Sequence, residues 1–266
     1  MTYLSREQRV WLLGLALLAA VFAIVLVRPM PEPTIFRQLA DERMFFGIAN
    51  FWNVVSNAPF LLVGVWGLRV VARAGAHTFI DREDKWPYVA CFLAVALIAG
   101  GSTYYHLAPA DERLMWDRLP ISLAFMALLA AMITERISVK AGRHGLAPLL
   151  VAGVASVLYW RWSSVRGSEN ILPYALVQYG ATAAIVVIAA LFRSRYTRGP
   201  DVLIAVAIYA LAKLAEVIDA QIYAIGHFVS GHTLKHLIAA FAVWWLVRML
   251  ELRVPLILPS SDRPRR

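Results

Sequence analysis

The chain is predicted to be an all-α integral membrane protein of eight spans, and three observations carry that reading. Of its 266 residues, 60% are hydrophobic and only 16% charged, with a mean hydropathy of +0.63, far more apolar than a soluble domain. The apolar residues gather into runs of helix-spanning length, each needing about 20 residues to cross a hydrocarbon layer. Polar residues collect at the ends of those runs, where a membrane bundle keeps its chemistry. No repeat or second domain divides residues 1–266. The single Cys91 excludes an intrachain disulfide framework and argues against a cysteine metal site. The net charge of +9 is spread over short loops instead of one stripe, so it reports membrane topology and not nucleic-acid binding.

In chain order, the first run covers residues 10–27 and ends in RPMPEP without a small-residue cleavage pattern, which predicts a retained helix over a signal peptide. A loop of mixed charge, residues 28–49, leads to a second span from Asn50 to Val71. Its opening, NFWNVVSN, puts Asn53 and Asn57 on one helical face beside Ser56, a face that turns into the bundle. The third span runs from Tyr88 to Tyr105 and the fourth from Leu119 to Thr134. A short fifth run, Leu146 to Trp160, precedes Leu172 to Phe192, Val202 to Gln221 and Gly231 to Leu250. Residues 254–266 form a basic, Pro-rich tail, predicted disordered at its end. Trp160, Trp162, Trp244 and Trp245 are expected at the interface or against lipid. Most of the 26 Lys and Arg lie at the two termini and in the loops after spans two, four and six. Both termini are therefore expected in the cytoplasm. The polar ends of spans two, three, four and eight then meet at the opposite, non-cytoplasmic face.

Two stretches carry the chemistry. In GGSTYYHLAPADERLMWDRLP, residues 100–120, Ser102 and His106 share a helical face, and Asp117 follows a Pro-containing turn that folds it back towards them. In SGHTLKH, residues 230–236, His232 and His236 share another face. Three imidazoles with one open position make the ligand pattern of a catalytic zinc. Asn53, Ser56 and Asn57 are placed to accept from the second ring nitrogens or to contact substrate. Asp117 is positioned to accept the proton of an activated water and Ser102 to hydrogen-bond an oxyanion. Plainer roles stand beside these: Ser102 as a small packing residue, Asp117 as a cap or the partner of Arg118, and His227 as a rival ligand ranked below the three. His77 and His144 fall on the cytoplasmic side as solvated residues. Lys213, Glu216 and Asp219 in span seven suggest an internal ion pair between the first two, with a proton or ion path as the alternative.

NFWNVVSN at 50–57, GGSTYYH at 100–106 with Asp117 beyond it, and GHTLKH at 231–236, in that order, resemble the alkaline ceramidases. Their wider superfamily of seven-helix membrane hydrolases also includes the progestin and adiponectin receptor group. The resemblance covers Asn50 to His236. It implies a seven-helix core, here residues 50–252, with residues 10–27 as an extra N-terminal helix. It also implies one catalytic zinc on His106, His232 and His236, with Ser102 and Asp117 in the serine and aspartate places. One departure concerns calcium: eukaryotic alkaline ceramidases carry an acid directly before the FWN motif, where this chain has Asn50. Despite Asp41 and Glu42 nearby, no calcium site is expected. The implied activity is zinc-dependent hydrolysis of the N-acyl bond of ceramide-like lipids, releasing fatty acid and a sphingoid-type base at the non-cytoplasmic face. An ester-cleaving lipid hydrolase, or a receptor or transporter with a structural zinc, are the alternatives. The expected partner is a membrane lipid; the oligomeric state is not readable.

Overall fold

The computed structural model describes residues 5–75 and 78–256. His77 and residues 257–266 of the expected tail lie outside the described residues. The described chain is helical throughout, with no strand among the described residues. Six of its helical segments are long and apolar enough to cross a membrane: Phe51–Arg73, Arg82–Leu107, Asp111–Arg136, Val139–Val165, Leu172–Leu191 and Gly231–Leu252. The protein is a multi-pass membrane protein.

Helix α1, Arg6–Leu26, starts at a capping box in which Ser5 Oγ accepts from the Gln8 amide at 3.2 Å and Gln8 Oε1 from the Ser5 amide at 2.8 Å. The second span is interrupted. Short α2, Phe51–Val55, and α3, Ala58–Arg73, meet at Ser56 and Asn57, where Pro59 starts the new helix. Helices α4, Trp86–Leu107, and α5, Asp111–Arg136, form a tight hairpin. Helix α5 begins eight residues before the Leu119 expected from hydropathy, because Asp111 and Glu112 favour a helix start. Asp117 therefore lies on the helix and not in front of it. Helix α6, Val139–Val165, is likewise longer than its apolar core, capped by Ser138 through the Ala141 amide.

Helices α7, Leu172–Ala175, and α8, Ala181–Leu191, are joined by a π-type turn over residues 176–180, and together they make one span. The seventh expected span ends early: α9, Asp201–Val217, breaks at Ile218 and resumes as α10, Asp219–Ala224. Helix α11, Gly231–Leu252, closes the bundle against α9 and α3.

The core is formed by α3, α4, α5, α8, α9 and α11 around Phe92, Met132, Ile185, Ile188 and Leu250. One end is tied by buried charge, with Arg253 pairing to Glu135, which also accepts from Tyr88 Oη at 3.0 Å. Trp160 belongs to the interior and not to the interface: it is fully buried, stacked by the Arg118 guanidinium at 3.9 Å, and its indole N–H donates to Glu169 at 2.8 Å. The opposite end gathers the start of α2, the end of α4, the break between α9 and α10, and the start of α11.

Candidate metal centre

Two glycines bring the chemistry-bearing helices together. A Cβ on Gly101 would collide with the Trp116 carbonyl of α5, and one on Gly231 with the Ala215 carbonyl of α9. Each glycine directly precedes a residue of the site, so two close backbone approaches lie where Ser102 and His232 are presented. Gly100, by contrast, has nothing within 4 Å of where its Cβ would lie.

His106 from the end of α4 and His232 and His236 from the start of α11 are all buried, with their candidate ligand atoms within 4.8 Å of one another. Their ring centroids form a near-equilateral triangle with sides of 4.8, 5.0 and 4.9 Å. The Nε2 atoms of His106 and His232 lie 3.3 Å apart. Two nitrogens held tetrahedrally at roughly 2.0–2.1 Å from one ion would be separated by about that distance.

The surroundings also set the tautomer of one ring. Ser56 Oγ donates to the Asn53 carbonyl at 3.3 Å and lies 2.8 Å from His236 Nδ1. With its proton directed at Asn53, the hydroxyl is placed to accept from Nδ1–H, the tautomer that leaves His236 Nε2 bare for a cation. Asn53 in turn donates to the Asp41 carbonyl at 2.9 Å and accepts from Thr233 Oγ1 at 3.0 Å, tying α2 to α11. Asn57 donates back to the Asn53 carbonyl at 2.7 Å and lies outside the ring contacts. His106 Nδ1 is buried with no hydrogen-bond partner among the described residues, so the expected acceptor exists for His236 but not for His106.

Ser102 and Asp117 face one another across α4 and α5 and line a cavity with His232 and His236. The cavity holds about 370 Å³ and runs down between α4, α5, α8, α9 and α11 over an apolar lining that includes Val95, Ile98, Phe125, Val243 and Leu246. Its upper wall is the N-terminal loop, held in place by Glu32 and Arg37. Arg37 donates to Glu32 at 3.0 Å and Asp111 at 2.9 Å, and pairs with Glu169, while Arg118 pairs with Glu32.

His227 is exposed and packs edge-to-face against Tyr223, apart from the triad, and His144 is exposed as well. The ion pair expected between Lys213 and Glu216 is present, and Glu216 also accepts from Lys235 at 2.9 Å. Three contributors escape a reading by motif. Asn50, in the left-handed region at φ 49°, donates to the His106 carbonyl at 2.8 Å. Asp219 accepts from the His232 amide at 2.7 Å and from the Ala40 amide at 2.9 Å. Lys235 places its ammonium 3.0 Å from His232 Nε2. An asparagine opening a helix in the left-handed region is the only one with a local signal.

No curated protein matches the chain. A family described as Ceramidase matches it over residues 44–255.

Proposed function

The chain belongs to the ceramidase family, whose activity is hydrolysis of the ceramide amide bond, and from that premise we propose that it is a zinc-dependent lipid amidase acting at the non-cytoplasmic face. The observation that supports this most is the joint placement of three imidazoles, a serine and a carboxylate at the head of an apolar cavity. Counting α1 and α9 with the six apolar segments gives eight spans, an N-terminal helix ahead of a seven-helix core, and the charge bias of the loops puts both termini in the cytoplasm.

His106, His232 and His236 would hold the ion, and Ser56 fixes the ring of His236 through Nδ1. A bound zinc supplies Lewis acidity for the carbonyl and for water. The acyl chain lies in the apolar part of the cavity, which excludes water from the scissile group and orients its carbonyl. Asp117 accepts a proton from the attacking water and returns one to the leaving nitrogen as the C–N bond breaks. Ser102 donates a hydrogen bond to the carbonyl oxygen as it gains charge. One water is consumed; a fatty acid and an amine leave.

The test is metal analysis of purified protein together with fatty-acid release from N-acyl sphingoid lipids. His232→Ala is expected to lose both the bound zinc and the activity. A variant that kept full zinc and full turnover would refute the assignment.

A further inference from the structure

We propose that Lys235, aimed by Glu216, is an anion-binding residue at the head of the cavity, taking the carboxylate of the fatty-acid product and the same oxygen while it gains charge during cleavage. The identity of this ligand rests on the lipid-hydrolase reading; the existence of the subsite does not.

Lys235 lies one residue before His236 on α11, and its side chain reaches across to α9, where Glu216 Oε1 accepts at 2.9 Å. The other oxygen of Glu216 is already paired with Lys213. Two partly buried lysines, with side chains 21% and 18% exposed, thus share one carboxylate. Asp117, the other carboxylate nearby, faces Ser102 and has to cycle its proton during turnover. Glu216 alone cannot neutralise both ammonium groups, so an anionic group is favoured beside Lys235.

The donor geometry agrees. An ammonium has three N–H groups; in Lys235 one is committed to Glu216 and one points at His232 Nε2, 3.0 Å away. Once His232 Nε2 serves a cation, that second N–H is released, and the third has no protein acceptor among the described residues. Both are left at the top of a slot whose walls below are Val95, Ile98, Ala239, Val243 and Leu246. From Lys235 to Leu246 the helical rise is roughly 16 Å, so a chain resting in the slot has its first polar carbon beside Nζ. Glu216 would hold the ammonium in place and Lys213 would hold Glu216.

The experiment is equilibrium binding of myristate and of uncharged 1-tetradecanol to the full chain as purified in detergent, with bound metal measured on the same samples. Lys235→Met leaves Glu216 neutralised by Lys213 and is expected to weaken myristate roughly tenfold or more while leaving tetradecanol unchanged, in line with loss of a charge-assisted hydrogen bond. Lys235→Arg is expected to keep myristate within about threefold of the wild type. Unchanged myristate binding in Lys235→Met, equal loss of both ligands, or loss of the metal would overturn the proposal. Selective myristate loss in a protein that cleaves no N-acyl lipid would uphold the subsite and remove only the amidase assignment.

Discussion

The hydroxyl of Ser56 decides which nitrogen His236 presents, and that makes a small residue testable. Ser56→Ala removes the acceptor for Nδ1–H without changing the ring's packing. Metal affinity, read by competition with a chelator, is expected to fall about 10–100-fold, the usual effect of losing an outer hydrogen bond to a ligating histidine. Affinity within threefold of wild type would show that the tautomer is set elsewhere. Asp41 makes a second case at this scale. Burial pushes its carboxyl up, but hydrogen bonds from the Arg43 side chain at 2.8 and 2.7 Å and from its backbone at 3.1 Å outweigh that and hold it below the usual carboxylate range. A carboxylate lowered on folding stabilises the fold above its unfolded pKa, near 3.8, and that contribution is lost as pH falls through the folded value. Thermal unfolding between about pH 5 and pH 2 is therefore expected to show a steeper acid loss in wild type than in Asp41→Asn. Parallel profiles would remove Asp41 from that role.

Between whole elements, the decisive contacts are backbone against backbone. Gly101→Ala is expected to cost about 2 kcal/mol or more, since α4 has to leave α5. Gly100→Ala, facing open space, is expected to be neutral or slightly stabilising, by up to about 1 kcal/mol. Thermal unfolding in detergent compares the two, and equal effects would contradict the packing described for this hairpin. The same scale shows what was legible beforehand. Hydropathy located each run and HxxxH located the paired histidines of α11, because spans and helical faces are local properties. Helix ends were not legible: α5 and α6 extend into polar sequence on caps and first-turn acids, which a hydropathy window discards. Asp219 stands out in the sequence only beside Lys213 and Glu216, because its contacts depend on a long-range meeting with the His232 and Ala40 amides. Lys235 carries no local signal, since its partner Glu216 lies on another helix. Trp160 was misplaced because indole is as common in a core as at an interface.

Across the whole molecule, the site and the cavity form one polar head on one apolar shaft, and the shaft's depth sets what fits. Leu246→Trp fills its lower part, and the expected outcome is a shift of preference towards shorter acyl chains in a lipid panel, with little change for the shortest substrates. Loss across all lengths would indicate a general packing defect, for which overfilling typically costs about 1–3 kcal/mol. Because that shaft runs among the membrane-crossing helices, the lipid-amidase reading predicts that a substrate is taken up while its tail remains at bilayer depth. The concentration that governs turnover is then two-dimensional: diluting a lipid within mixed micelles, at constant bulk amount, should slow the reaction in proportion to its surface mole fraction.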